Sequence, residues 1–199
     1  MNKIAQLWRI ATHPRELRLA VSGLGVRLSG DAAMGGLDAA ETAAVCDWAK
    51  TAGIDVFVEI GTLFGFTARA VKAAAPGVRV IAVDNFCWNP FGLTPSQHEA
   101  FTRRVLEGSG VELVRADAEE FLARLSDRVD PRRAMVFLDG SHAYEDVRRE
   151  IELVKTAGVR VVSGHDFGNP RFGVTRAVAE TLGEPDDTRG MCWLKRAGE

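Results

Sequence analysis

The segment from Val56 to Phe66 constrains the fold of this chain more than any other part of the sequence. It reads Val-Phe-Val-Glu-Ile-Gly-Thr-Leu-Phe-Gly-Phe, so a mainly apolar strand runs directly into a turn that contains two glycines. Residues compatible with a helix follow from Thr67 to Ala75. A strand, a glycine turn and a helix in this order are typical of a doubly wound α/β sheet, in which such a turn cradles a nucleotide-like ligand.

The turn also argues against one class of ligand. In the dinucleotide-binding pattern G-x-G-x-x-G, the middle glycine lets the backbone approach a pyrophosphate. Leu63 holds that place here, between Gly61 and Gly65, and its side chain would block the approach. A nucleotide-binding oxidoreductase that uses NAD or FAD is therefore disfavoured.

Strand and helix patterns alternate along the rest of the chain. This alternation predicts an α/β fold, a doubly wound and mainly parallel sheet with helices on both faces. The predicted strands are 56–60, 79–83, 111–114, 134–138, 159–163 and 191–195, the last with room for a very short partner, and the predicted helices are 38–52, 65–75, 95–107, 118–125, 143–156 and 172–182.

The chain divides into two predicted regions. Residues 1–37 are expected to form an N-terminal helical cap and a glycine-rich loop, and residues 38–199 a single catalytic domain. Asp38 and Glu41 have the spacing of a capping box, which marks where the first helix of that domain begins. In the helix predicted at 143–156, apolar residues form one side, and the charged residues, Glu150 among them, are expected on the solvated side.

Composition excludes several classes of function. The 199 residues carry a formal charge of −2 and an isoelectric point near 6.1, so no net positive field would attract nucleic acid. Charged residues interrupt the N-terminal apolar positions, and no apolar run is long enough to cross a membrane. The three cysteines are far apart and form no C-x-x-C pair, which favours a reducing cytoplasm. A small-molecule substrate is the expected partner.

Polar residues cluster where the predicted strands end. In an open α/β sheet, ligands bind at the carboxyl ends of the strands, so these residues are the candidates for a site. A carboxylate after the second strand suits ribose hydroxyls, and a carboxylate with a backbone N–H after the third suits adenine, although Asp117 is equally explained as a helix N-cap. The acidic residues after five successive strands are Glu59, Asp84, Asp117, Asp139 and Asp166, and His142 and His165 lie beside the last two.

These segments together resemble a known family. The segments Glu-Ile-Gly-Thr-Leu-Phe-Gly (59–65), Val-Asp-Asn (83–85), Arg-Ala-Asp-Ala (115–118), Phe-Leu-Asp-Gly-Ser-His-Ala-Tyr-Glu-Asp-Val (137–147), Gly-His-Asp-Phe (164–167) and Gly-Val-Thr-Arg-Ala-Val (173–178) are similar to class I S-adenosylmethionine-dependent methyltransferases. More narrowly, they are similar to the small-molecule O-methyltransferase group that includes macrocin O-methyltransferase-like enzymes.

The resemblance implies roles for the cofactor residues. It implies a Rossmann-like methyltransferase fold that binds S-adenosylmethionine. Glu59, Gly61 and Gly65 would line the methionine and ribose part of the cofactor. Asp84 would hold the ribose hydroxyls, and Asp117 with Ala118 would contact the adenine.

The resemblance also implies a metal site, formed here by Asp139, His165 and Asp166. In metal-dependent relatives, Mg²⁺ at these positions orients the acceptor hydroxyl. A histidine in this set departs from the family pattern, because Mg²⁺ prefers oxygen ligands. Two routes therefore stay open: a Mg²⁺-assisted one in which His142 or His165 takes the proton, and one in which a histidine held by a carboxylate acts without metal.

The expected activity is O-methylation of a hydroxyl on a small, sugar-bearing or otherwise polyhydroxylated metabolite. The alternative is a protein of methyltransferase fold with a non-methylating or non-catalytic partner role. Trp88, after the second strand, either forms a wall of the substrate pocket or packs its loop, with Phe91, onto the body. The short C-terminal sheet edge favours a homodimer in which a second subunit covers it.

Overall fold

The computed structural model describes residues 36–51, 53–88 and 93–196. Helices and strands alternate along the described chain as predicted, and two 3₁₀ turns, Leu125–Asp127 and Pro131–Arg133, precede the strand at 134–138. The elements are α1 (Ala39–Ala49), β1 (Val56–Ile60), α2 (Phe66–Ala74), β2 (Arg79–Asp84), α3 (Pro95–Leu106), β3 (Glu112–Arg115), α4 (Ala118–Leu122), β4 (Ala134–Leu138), α5 (Tyr144–Ala157), β5 (Val161–Gly164), α6 (Val174–Leu182), β6 (Asp187–Arg189) and β7 (Cys192–Arg196).

The strands form one seven-stranded sheet in the order β3-β2-β1-β4-β5-β7-β6. The first five strands in this order are parallel, and β7 runs antiparallel to both β5 and β6. Ile60 at the end of β1 pairs with Val83 of β2 and Leu138 of β4, so these strands finish level with one another. The prediction of a doubly wound, mainly parallel sheet is confirmed.

Helices cover both faces of the sheet because the central strands are apolar on both sides. Val58 points to the face covered by α4, α5 and α6, where it belongs to the same buried cluster as Ile151. Phe57 points to the opposite face, stacks on Phe137 with ring centroids 6.3 Å apart, and shares its cluster with Trp48 of α1. The two buried apolar clusters, one on each face, thus fix the position of the sheet edge at which the candidate site lies.

The predicted cap at 1–37 lies almost wholly outside the described residues, as does Phe91. At the other end, β6 is the very short partner strand for which the sequence left room, and it completes an antiparallel hairpin with β7. None of the helices in the described part of the chain is both long and apolar enough to span a membrane.

The prediction for Glu150 on α5 is wrong. Instead of lying on the solvated side, its side chain is buried, with 3% of the residue exposed. The spacing contained the signal, because positions 147, 150, 151 and 154 form the i, i+3, i+4, i+7 stripe of a helix face that packs against a core. The spacing of the apolar residues therefore places position 150 on the buried side of the helix, although glutamate is a charged residue type.

Gly164 offers a test of how tightly β5 packs in this sheet. A Cβ at this position would lie 2.5 Å from the Leu138 carbonyl oxygen and 2.9 Å from ring atoms of Trp193. We expect Gly164→Ala to destabilise the fold by about 2 kcal/mol and to lower the thermal midpoint by roughly 5 °C. Gly77→Ala is the matched control, since a Cβ there meets nothing within 4 Å. Equal thermal midpoints of the two variants in differential scanning calorimetry would contradict tight packing around Gly164.

Candidate active site

A cavity of about 1040 Å³ opens at the carboxyl ends of the parallel strands. Its size is at the upper end of the range for ligand pockets, ~300–1,000 Å³, which leaves room for a nucleoside-sized ligand and a second small molecule. The acidic residues after all five parallel strands line it: Glu59, Asp84, Asp117, Asp139 and Asp166. Gly61, Ala118, His142 and His165 line it as well.

The turn after β1 lies against the end of β4. Gly61 has a φ of +85°, and a Cβ on it would lie 2.3 Å from the carbonyl oxygen of Asp139, so only glycine fits this approach. Gly65 is not among the residues that line the cavity. It is the left-handed N-cap of α2, and a Cβ there would meet Leu106 at 2.8 Å. Close packing against Leu106, rather than contact with a ligand, therefore explains why residue 65 is a glycine.

Asp84 joins two turns through its carboxylate. One oxygen accepts a hydrogen bond from the Leu63 N–H at 2.9 Å, and the other from the Phe86 N–H at 2.6 Å. Both donors have positive φ angles, 51° and 60°, so the carboxylate stabilises two turns in an uncommon backbone conformation. Burial raises the pKa of Asp84, and the two backbone donors oppose that rise. A carboxylate has about four lone-pair sites, which leaves capacity for two further donors.

The neighbouring carboxylates are also held locally. Glu59 is buried and accepts a hydrogen bond from the Thr62 hydroxyl. Asp117 is the N-cap of α4, where its side chain accepts from the Glu119 N–H at 3.0 Å. Because Asp117 lines the cavity beside Ala118 at the same time, the capping explanation and the ligand explanation are compatible.

Two histidines and two aspartates meet after β4 and β5. His142 Nε2 lies 3.1 Å from Asp166 Oδ2 and 3.9 Å from Asp139 Oδ1. His165 Nδ1 lies 3.6 Å from Asp139 Oδ1 and 3.7 Å from Asp166 Oδ2. Asp166 has a φ of +60° and accepts a hydrogen bond from the Asn169 side chain at 2.8 Å, which fixes its carboxylate in the cluster.

His165 also contacts a residue that the sequence assigned only to helix capping. Its Nε2 lies 3.4 Å from Glu41 Oε2, and Glu41 both completes the α1 capping box and accepts from the Met191 N–H at 2.9 Å. Burial of the ring acts to lower the pKa of His165, but Asp139 and the other carboxylates around it raise the pKa to about 9. No signal in the sequence linked Glu41 to the site, because capping already explained it.

His142 is the more accessible of the two histidines. A third of its side chain is exposed, 34% against 12% for His165. Its ring stacks on Phe172, with centroids 4.4 Å apart and an interplanar angle of 26°. Asp139 raises the pKa of His142, burial opposes the rise, and Asp166 adds to it. The imidazole is therefore both oriented by an aromatic ring and open to the cavity.

The cluster can provide ligands to a cation. One ligand atom each from Asp139, His165 and Asp166 lie within 4.8 Å of one another. Glu41, His165 and Cys192 satisfy the same distance test on the buried side of the imidazole. All three residues of the first group line the cavity, whereas only His165 of the second group does.

Apolar side chains surround the mouth of the cavity. The large hydrophobic residues that are exposed in the described chain are Trp88, Phe172 and Met191, and all three line this cavity. Trp88 is 63% exposed, so the explanation that it packs its loop onto the body is wrong. Its place on the cavity agrees with the alternative, a wall of the substrate pocket.

Comparison with known proteins identifies the family. The model of a family described as "Methyltransferase domain" matches residues 58–162, more than half of the chain. The chain therefore belongs to this methyltransferase family, and the family resemblance drawn from the sequence motifs is confirmed. No curated protein sequence matches the chain at a significant level.

Solved structures show the same fold. An O-methyltransferase from Bacillus cereus in complex with SAH aligns with a TM-score of 0.62 at 14% identity, over 92% of this chain and 90% of its own. Cofactor-bound Rv0187 from MTB aligns at 0.60 and 21% identity, over 92% and 89%. TomG from Streptomyces achromogenes, an O-methyltransferase of tomaymycin synthesis in complex with SAM, aligns at 0.59 and 18% identity, over 82% of each chain.

The buried Glu150 predicts a pH dependence of stability. Burial and the nearby carboxylates of Asp146 and Glu119 raise its pKa to about 8, from 4.5 as the ordinary value. Because the folded chain keeps this proton to higher pH than the unfolded chain does, wild-type stability falls as pH rises from 4.5 to 8. We expect the melting temperature of Glu150→Gln to exceed that of the wild type by at least about 2 °C at pH 8, and by less at pH 5.

Glu152→Gln is the matched control for this comparison. Glu152 lies on the same helix, with half of its side chain exposed, and pairs with Arg148 at the surface. Its substitution is expected to shift the melting temperature by a similar small amount at both pH values. A difference between Glu150→Gln and the wild type that does not change with pH would contradict a buried, protonated Glu150.

Proposed function

We propose that this member of the methyltransferase family transfers the methyl group of S-adenosylmethionine to a hydroxyl oxygen of a small molecule. The observation that carries the proposal is that one cavity holds both a carboxylate suited to ribose, Asp84, and the histidine–aspartate cluster around His142. The cofactor agrees with two of the similar structures, TomG with SAM and the Bacillus cereus enzyme with SAH.

The cofactor half of the cavity comprises the ends of β1, β2 and β3. Asp84 would accept hydrogen bonds from the ribose hydroxyls, since its carboxylate keeps lone pairs beyond those used by the two turns. Glu59 and Gly61 would line the methionine and ribose part, and Asp117 with Ala118 the adenine. Leu63 also lines the cavity, where its side chain opposes a diphosphate-linked cofactor.

The acceptor half comprises the ends of β4 and β5. Methyl transfer from a sulfonium is an in-line displacement, in which the acceptor oxygen loses its proton as the carbon–oxygen bond forms. His142 is the proposed base, because its imidazole is open to the cavity and Asp166 lies 3.1 Å from its Nε2. His165 is less suited to that role, since only 12% of its side chain is exposed and its ring lies between Glu41 and Asp139.

A divalent cation fits the cluster that Asp139, His165 and Asp166 form. The two carboxylates are ligands that suit Mg²⁺, and the spacing of the three ligand atoms is compatible with one shared ion. The imidazole adds affinity for borderline ions such as Mn²⁺. When bound, such an ion would lower the pKa of the acceptor hydroxyl. The aspartates would position the acceptor oxygen, and His142 would accept its proton.

The proposed acceptor has an apolar face beside its hydroxyl. Trp88, Phe172 and Met191 offer apolar surface at the mouth, next to the polar cluster that would receive the hydroxyl. A sugar-bearing or otherwise polyhydroxylated metabolite meets this description. We further propose a homodimer in the cytoplasm, for which the three-residue edge strand β6 and the dispersed cysteines are the support.

Two substitutions separate the roles of the cavity halves. We expect Asp84→Asn to raise the Kd for S-adenosylhomocysteine at least about tenfold, because a hydrogen-bonded carboxylate is lost. Asp166→Asn should change that Kd by less than about threefold and lower methyl transfer by about 100-fold or more. Asparagine is chosen at 166 because it tolerates the positive φ of +60° found there.

Calorimetry with S-adenosylhomocysteine measures the binding, and mass spectrometry of product release from a panel of catechols, phenols and glycosides measures the transfer. An equal loss of binding in both variants would contradict the division of roles. Wild-type protein that binds the cofactor but forms no product with any acceptor in the panel would favour the non-catalytic alternative instead.

The metal site has a test that does not require turnover. We expect Mg²⁺ or Mn²⁺ at millimolar concentration to raise the melting temperature of EDTA-treated protein by about 2 °C or more, with the larger effect for Mn²⁺. Asp139→Asn should abolish this shift. Asp146→Asn is the matched control, because Asp146 lines the same cavity outside the three-residue set. A shift that Asp139→Asn leaves intact, or no shift with either ion, would remove the metal from the mechanism.

A further inference from the structure

Glu150 is a buried carboxyl group for which the proposed reaction has no role. Only 3% of the residue is exposed, and its Oε2 has no hydrogen-bond partner among the described residues. It nevertheless lines the cavity. A buried polar group without a partner costs free energy, so a group of this kind on a cavity wall indicates a ligand that satisfies it.

The carboxylates near Glu150 do have partners. Asp117 accepts the Glu119 N–H as the N-cap of α4, and Glu119 itself pairs with Arg149 at 2.7 Å. Asp146 accepts a hydrogen bond from the Ser141 hydroxyl at 2.7 Å. Among these four carboxyl groups, Glu150 is the one with a buried oxygen, Oε2, that has no hydrogen-bond partner among the described residues.

The protonation state of Glu150 follows from its surroundings. Burial, and then the charges of Asp146, Glu119 and Asp117, raise its pKa to about 8. At neutral pH the group therefore holds a proton. A neutral carboxyl presents one O–H donor and one carbonyl acceptor side by side, whereas a carboxylate presents acceptors only.

The place of Glu150 along the cavity indicates what it would meet. The proposed function places the ribose at Asp84 on β2 and the methyl acceptor at β4 and β5. The adenine of the nucleoside then extends towards β3, because β3 is next to β2 on the side away from β4. The end of β3 leads into α4, and α5 packs against α4. Glu150 lies on α5, near the first turn of α4, and so at the base end of the cavity.

Adenine presents a donor and an acceptor next to each other, the N6 amino group and the ring nitrogen N7. We propose that Glu150 is a specificity residue for the adenine of the cofactor, accepting a hydrogen bond from the N6 amino group and donating one to the adjacent ring nitrogen. This inference rests on the proposed function, since it requires S-adenosylmethionine in the cavity. A 6-oxopurine offers two acceptors at the same edge, of which a single O–H satisfies one.

Two ligands and three variants test the role. The ligands are S-adenosylhomocysteine and its analogue with hypoxanthine in place of adenine, titrated into the full chain by calorimetry. We expect the wild type to prefer the adenine compound by about tenfold or more. Glu150→Leu should lose most of that preference, through weaker binding of the adenine compound. Glu150→Gln should keep it within about threefold, because an amide also offers one acceptor beside a donor.

Glu119→Gln is the matched control, since it removes a neighbouring carboxylate that also lines the cavity, and it should keep the wild-type preference. Melting curves show whether each variant is folded. If Glu150→Leu retains the wild-type preference, the inference is overturned and the proposed function stands. If the wild type binds neither compound, both the inference and the proposed function are overturned. A loss of preference in Glu150→Gln equal to that in Glu150→Leu would likewise overturn the neutral-carboxyl contact.

Discussion

The geometry of the cavity depends on the close approach of the β1 turn to the end of β4. At Gly61 the backbone occupies space that a side chain would need, since a Cβ there would lie 2.3 Å from the Asp139 carbonyl oxygen. The Asp139 N–H in turn donates to the Ile60 carbonyl at 2.9 Å, which continues the parallel ladder beyond the strands. Because of this contact, the residues suited to a cofactor and those suited to an acceptor face one cavity rather than two.

Such a cavity concentrates carboxyl groups, and the structure stabilises each of them differently. Backbone N–H groups of two turns hold Asp84, and an asparagine amide holds Asp166. Glu41 receives backbone hydrogen bonds from both ends of the domain, at Asp38 and Met191. Glu150 remains neutral instead, because burial opposes its ionisation. These four solutions allow carboxyl groups to lie close together in and around the cavity.

Sequence reasoning predicted the elements well and the side-chain environments less well. Strand runs such as Val56–Ile60 are mainly apolar, which is sufficient to predict a buried parallel strand and the position of its end. The acidic residues at those ends could be predicted to share an edge for the same reason. The environments of Glu41 and Glu150 could not be predicted as readily, because each charge had a sufficient local explanation, a capping box for one and a solvated helix face for the other.

The sequence by itself determined the order of strands and helices and the row of acidic residues at the strand ends, since both follow from local patterns of polarity and backbone preference. Only the tertiary structure decided which groups meet. His165 lies between Glu41 and Asp139, and Glu150 is buried in the wall of the cavity, because helices distant in the chain pack against the same sheet. Contact and burial of this kind arise from three-dimensional packing, which no local pattern specifies.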